Sequence, residues 1–156
     1  MAQGETTTVK GTQEEVGKWQ DTNFPGIPAS YIDSKTGEMV LTRYHGAYRL
    51  HGDLQGTCEA VYELRFPKGY VGSDAGVFTC EGQATFVGEF KGNSIQWVAD
   101  VKSSGYYDPV DKSAGHSISV HSITSSTGEL PGLRGEITFV DETGDDPITY
   151  SGGLTW

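Results

Sequence analysis

The sequence predicts an all-β fold, an eight-stranded antiparallel up-and-down barrel in a single domain spanning 1–156. Three observations carry that expectation. Long runs alternate apolar and polar side chains with period two, as strands with one buried face do. Short glycine-, asparagine- and aspartate-bearing turns separate the runs. Third, the stretch from Ser125 to Gly135 holds Gly128, Pro131, Gly132 and Gly135, which suits neither a helix nor a strand interior. Leu130 and Leu133 make it a packed corner of the kind a closing sheet needs.

Composition agrees with that architecture. Hydrophobic residues are 35% and aromatics 11%, with 22 glycines, a profile in which half of each strand faces water. A formal net charge of −10 argues against nucleic acid or an anionic membrane as partner, because both would be repelled. No run approaches the ~18 apolar residues of a membrane span, and the start from Met1 to Glu5 lacks the basic and apolar stretches of a signal peptide. The expectation is a soluble, cytoplasmic protein. Cys58 and Cys80 fit no metal spacing and no disulfide framework, so both are expected to be free buried thiols.

Taken in order, Glu5 to Gly11 reads as a first strand, its threonines favouring the pleat. Gln13 to Gln20 is expected to form a helical turn carrying Trp19. Asp21 to Glu38, with Phe24, Pro25, Pro28 and Tyr31, is long for a plain connection and is a candidate lid. Residues 1–38 are thus an N-terminal strand plus that loop, and 39–156 are the barrel meander. Met39 to Gly52 is the second strand, with Val40, Thr42, Tyr44, Gly46, Tyr48 and Leu50 on its inward face. Gly52 to Gly56 is a hairpin turn. Thr57 to Phe66 turns Cys58, Ala60, Tyr62, Leu64 and Phe66 inward. From Gly76 to Phe90 the inward set is Phe78, Cys80, Gly82, Ala84, Phe86, Gly88 and Phe90, whose glycines let a long strand bend and leave space inside.

After Lys91-Gly92-Asn93, the strand Ser94 to Ser103 points Ile95, Trp97, Ala99 and Val101 inward. Gly105 to Ser113 is an aromatic-rich loop. His116 to Thr124, Gly135 to Asp141 and Ile148 to Trp156 complete the eight strands, with Thr143 to Pro147 turning between the last two.

Standard catalytic signatures are absent: no G-x-S-x-G, P-loop, dinucleotide fingerprint or H-E-x-x-H. His116 and His121 lie five apart on one strand, hence on opposite faces, and cannot be a local metal pair. Neither metal nor cofactor is expected. The inward face is rich in large rings with polar tips, and it has two readings. The rings fill the barrel and spend their hydroxyls on backbone partners. Otherwise they line a pocket in which Tyr44 and Tyr48, helped by His116, hold a carbonyl or alkoxide, against an apolar wall of Tyr62, Phe78, Phe86, Trp97 and Tyr150. The opposite face of the second strand carries Arg43, His45, Arg49 and His51 beside Glu59 and Glu63, a solvated array of ion pairs unless a bulge inverts the parity.

The glycine-rich corner, with Gly52-Asp53-Leu54-Gln55-Gly56 and Phe86-Val87-Gly88-Glu89-Phe90-Lys91-Gly92, resembles a microbial family of unknown function that has the allene oxide cyclase-like barrel. The likeness runs from about Val40 to Trp156. More weakly, the corner is similar to the glycine-rich turn of allene oxide cyclase and of dirigent proteins. The resemblance implies a calycin-like barrel that folds a reactive substrate and lets it cyclise without a cofactor. These motifs specify the barrel and not the chemistry, since no catalytic pattern of allene oxide cyclase can be laid onto these residues.

The expectation for function is therefore a cofactor-independent cyclase or isomerase of specialised metabolism, of a pericyclic [4+2] or epoxide-opening kind. It would act on an apolar or polyunsaturated small molecule held in its closing conformation. The alternative is a calycin-like carrier that binds an apolar small molecule without turnover. A third is a barrel wholly filled and acting through its surface. Exposed edges and aromatic loops are compatible with a homodimer.

Overall fold

Among the described residues, nine antiparallel strands form one sheet, and the sheet closes on itself. The strands are β1 (Thr7–Gln20), β2 (Ser30–Ile32), β3 (Met39–Gly52), β4 (Leu54–Phe66), β5 (Gly76–Phe90), β6 (Asn93–Tyr107), β7 (His116–Gly128), β8 (Arg134–Asp141) and β9 (Ile148–Thr155). The structure, a computed structural model, describes residues 6–22, 26, 28–70, 75–143 and 147–156. Neighbours follow one another from β3 round to β9, then β1 pairs with β9 on one edge and β3 on the other. The short β2 adds to the free start of β3, beyond the end of β1.

Closure is staggered. Cα partners followed once round the ring run from Gln20 through Tyr44, Tyr62, Gly82, Val101, His121, Ile137 and Gly152, and return to β1 at Val9. Gln20 and Val9 sit near opposite ends of that strand, and a stagger of this kind tilts the strands and sets how wide the ring is.

The eight expected strands are present, and several expectations need correction. The segment from Gln13 to Gln20 is not a helical turn: it belongs to β1 and pairs with β3 from Leu50 to Tyr44. Its Gln, Glu and Lys content favours a helix locally, and the backbone hydrogen bonds offered by β3 override that propensity. A bulge between Glu15 and Gly17 also breaks the period-two pattern that would mark the strand. Likewise β6 continues to Tyr107 and β7 to Gly128, so the corner proper runs from Glu129 to Leu133.

The second strand carries the most consequential change. A bulge between Leu41 and Tyr44 adds one residue to β3 and places Arg43 at φ 50°. Inward positions before the bulge are Met39 and Leu41; after it they are Tyr44, Tyr48 and Leu50. Val40 and Thr42 therefore face outward, contrary to the alternation expected of an unbroken strand. Thr42 donates its hydroxyl to the Pro28 carbonyl at 2.7 Å, under the segment leading into β2.

The described part of the candidate lid is tied to the ring. The β2–β3 turn is held by Asp33, whose carboxylate accepts from the Lys35 and Thr36 amides, and by Arg65, which reaches Asp33 at 3.0 Å, Glu38 at 3.4 Å and Glu63 at 2.9 Å. Phe24 and Pro25 of that segment lie outside the described residues, as do 71–74 and 144–146.

One end of the ring is solid. Leu50, Leu54, Phe86, Phe90, Trp97 and Leu133 are buried there, each contributing roughly 1.5–3 kcal/mol by leaving water. Phe86 and Trp97 pack at 4.5 Å between ring centres, and Trp156 meets Phe90 edge-on at 5.7 Å. Beneath the β5–β6 turn, where Lys91 and Gly92 both take positive φ as a two-residue hairpin requires, the corner is stitched to β6. The Glu129 amide donates to the Ser94 carbonyl, and the Glu129 carboxylate accepts from the Ser94 amide at 2.8 Å. Cys58 is a free buried thiol in this core, and Cys80 is another further along.

Tyr150 ties β9 to the β3–β4 turn. Its hydroxyl donates to the His51 carbonyl at 2.8 Å and accepts from the Leu54 amide at 2.9 Å. Tyr150→Phe leaves both backbone groups without that partner at a buried site, and is expected to cost about 1–3 kcal/mol in urea unfolding. A loss under about 0.5 kcal/mol would show that water replaces the hydroxyl freely.

Candidate functional site

At the opposite end the ring is hollow. A cavity of about 480 Å³ lies among the starts of β3, β5, β7 and β9, the ends of β4, β6 and β8, and the second half of β1. That volume falls in the range of roughly 300–1,000 Å³ typical of small-molecule sites. The sequence makes the space by placing short side chains at inward positions: Ala60, Cys80, Ser103, Ser117 and Ser119 stop short of the centre.

One wall is aromatic. Tyr44, Tyr48 and Tyr62 project from β3 and β4 after the bulge has aligned them, with Phe66 and Phe78 beside them. The hydroxyls of Tyr48 and Tyr62 are 3.3 Å apart, a hydrogen bond in which either can donate. Tyr44 leans on Tyr62 with ring centres 5.7 Å apart. Gly46 is what lets Tyr48 lie along the wall, because a Cβ there would collide with the Tyr48 ring.

Lys18 and Glu15 stand at the rim of this wall, an ion pair at 3.5 Å with both side chains partly exposed. The β1 bulge puts both on the inner face, on either side of Val16.

The facing wall is polar. Ser117, Ser119 and His121 of β7 and Ser103 of β6 line it, with Asp141 at the end of β8. Ser103 and Ser119 share a hydrogen bond. His121 is buried, its ring 4.4 Å from that of Phe139, with Val101 and Ile137 as cross-strand neighbours. None of these three neighbours carries a charge.

Burial dominates the electrostatics. It pushes the Tyr48 hydroxyl up to about 12, the hydrogen bond from Tyr62 only partly opposing it, and it raises Tyr62 still further. Both therefore stay protonated donors at neutral pH. Burial pushes the Cys80 thiol up to about 12, which removes it as a ready nucleophile. For Lys18 burial acts downward, but the oxygens of Tyr62, Glu15 and Tyr44 outweigh it and the ammonium stays charged. His121 is lowered to about 4 by burial, so its imidazole is neutral. Among the described residues no group of three His, Cys, Asp or Glu side chains converges as metal ligands would.

Of the residues expected to form the site, the structure brings together Tyr44, Tyr48, Tyr62 and Phe78. It does not bring in the rest. Phe86, Trp97 and Tyr150 belong to the solid end, below the cavity floor, and the Tyr150 hydroxyl is spent on backbone. His116 is on the outer face: it stacks near Tyr106 at 5.8 Å and borders a shallow groove with Val77, Ile118 and Arg65. Parity explains the exchange. In β7 the apolar Ile118 and Val120 share a face with His116, which marks that face as inward in the sequence. The cavity instead takes the serine face, and Ile118 is left 53% exposed. Alternation thus puts His121 on the wrong side, and it gives no sign of Lys18, Glu15 or Ser119.

The outer array is as expected in part: His51 and Arg49 meet Glu14 of β1 at 3.3 and 3.9 Å, rather than Glu59 or Glu63, and His45 stacks on Trp19 at 5.0 Å. No protein-family model and no curated protein matches the chain.

The buried neutral His121 makes an acid-stability prediction. Its pKa is about 4 folded and ~6.5 unfolded, so between those values the unfolded chain binds more protons. Stability should fall as pH drops from about 6.5 to 4, by up to ~3 kcal/mol from this group, and level off below. In His121→Gln that component should vanish from urea titrations across the same window. An identical slope in the variant would show that the imidazole is not desolvated.

Proposed function

We propose that the ring is an eight-stranded calycin-like barrel of the allene oxide cyclase-like kind, with β2 as an outrigger on its rim. We infer that it acts as a cofactor-independent cyclase or isomerase on an apolar or polyunsaturated small molecule. The observation that carries this reading is the half-filled interior: a 480 Å³ ring-lined cavity above a solid floor. A flexible guest confined there loses the freedom that otherwise keeps its reacting ends apart. In ideal cases that is worth roughly 7–11 kcal/mol of barrier. The Tyr48–Tyr62 pair supplies a preorganised donor for an oxygen that gains charge as the reaction proceeds.

The protonated state of Tyr48, Tyr62 and Cys80 also supports a second reading, a carrier that holds such a molecule unchanged. Incubation with a linear conjugated trienone separates them. Catalysis predicts conversion to a cyclic or double-bond isomer of unchanged mass. Ala60→Phe, which fills the cavity from β4, should abolish it, and Tyr48→Phe should slow it about tenfold, the worth of one hydrogen bond in a desolvated site. Trienone recovered unchanged from a tight complex would favour the carrier. Failure of any apolar enone to bind would remove both.

A further inference from the structure

The cavity has two chemically different walls, and their relative placement is set by the sheet. Tyr62 and His121 belong to the same row of Cα partners, Tyr62–Gly82–Val101–His121, three strands apart. With ~4.8 Å between neighbouring strands, three steps set their Cα atoms about 14 Å apart, partly round the ring and partly along it because the strands tilt. The two residues between them on that row, Gly82 and Val101, project little or nothing into the gap. Tyr48, Tyr62 and His121 all line the same cavity, the tyrosines from the aromatic wall and His121 from the serine-bearing strand, so one guest can touch both sets.

Their hydrogen-bonding capacities are complementary. Two hydroxyls joined to each other use one proton internally and leave the other to point at a ligand, and the bond between them strengthens that remaining donor. Among the described residues the His121 imidazole makes no hydrogen bond, while the His121 backbone sits in the ladders to β6 and β8. A neutral imidazole always has one ring nitrogen with an open lone pair. A donor pair on one side and an unengaged acceptor on the other is the arrangement for moving a proton off carbon: one stabilises the oxygen that gains charge, the other receives the proton.

Resting on the reading of this cavity as a small-molecule site, we propose that the natural ligand is an apolar molecule bearing an enolisable ketone. His121 takes a proton from the carbon next to the carbonyl, and the Tyr48–Tyr62 pair holds the resulting enolate oxygen. The bonds balance without an external oxidant or reductant. The C–H electron pair becomes a carbon–carbon double bond, and the carbonyl π pair moves onto oxygen against the tyrosine proton. The imidazolium then returns its proton to the same carbon or, in an unsaturated ketone, to the carbon at the far end of the conjugated system. Double-bond migration follows, or ring closure where the enolate carbon adds to a double bond in the same guest, whose displaced π pair then takes the imidazolium proton. Ser103 and Ser119, bonded to each other beside His121, form a polar shelf that would orient a second oxygen of the guest.

Two probes test the proposal separately from the reading it rests on. 2-Naphthol mimics a flat enolate and reports binding to the tyrosine pair; 2-tetralone has an acidic carbon whose exchange with deuterated water reports proton abstraction. The protein should bind 2-naphthol, with Tyr62→Phe weakening it about tenfold. It should also accelerate 2-tetralone exchange, with His121→Gln lowering that acceleration about a hundredfold while 2-naphthol still binds. Binding of 2-naphthol with no exchange, or exchange untouched in His121→Gln, would overturn the proposal and leave the cavity reading standing. Absence of binding by either probe would overturn both. Should His121→Gln fail to fold, the native protein decides. The imidazole nitrogen resonances of His121 must move when 2-tetralone is added, and resonances that stay fixed would overturn the assignment.

Discussion

The pairing of β1 with β3 is the constraint on which the rest depends. Without it the chain is an open meander whose inner face, tyrosines and serines included, lies against water. With it, the second half of β1 supplies the last wall and brings Lys18 and Glu15 to the rim. The stagger of that closure matters as much as the closure itself. It returns the partner row from Gln20 to Val9, so the strands tilt and the ring is wider than eight upright strands would make it. A wider ring needs more side-chain volume to fill it than this sequence provides. The sequence fills one end with Phe86, Phe90, Trp97 and leucines, and at the other end places Ala60, Cys80 and serines.

Bulges then decide which chemistry faces the space. Among the described residues three interrupt the sheet: between Glu15 and Gly17 in β1, between Leu41 and Tyr44 in β3, and in β7 opposite Val98 and Ala99. Each exchanges the faces of the strand beyond it. The one in β3 brings Leu41 and Tyr44 to the same side despite their odd separation, and the one in β1 does the same for Glu15 and Lys18. Arg43, at the left-handed bulge position, donates to the Asp21 carbonyl at 3.1 Å, so the kink is fastened to the end of β1. Sheet closure and site chemistry thus share one joint in the structure.

Much of the fold is legible in the sequence because alternation is a strong signal where one face is apolar. β4 and β5 show it, and Tyr62, Cys80 and Phe86 point inward as their alternation requires. The corner around Leu133 is legible too, since glycine, proline and leucine together have few other uses. β1 is not. Core strands are expected to be apolar, and here Gln13, Glu15 and Lys18 line the interior. The faces of β7 are misread for a related reason. On that strand hydrophobicity does not mark the inner face. At the hollow end β7 turns Ser117, Ser119 and His121 inward, and the apolar Ile118 looks outward. There the usual sorting of side chains is reversed, whereas β4 and β5 keep it with Tyr62, Phe66 and Phe78 inward.

All of this requires a guest to enter that hollow end in preference to any other concavity of the surface. Crystals soaked with 6-bromo-2-naphthol would locate the bromine directly by its anomalous scattering. The peak is predicted inside the ring, between Tyr62, Ala60, Val101 and His121. A peak confined to the outer groove at Val77 and Ile118, with the interior empty at saturating concentration, would contradict it.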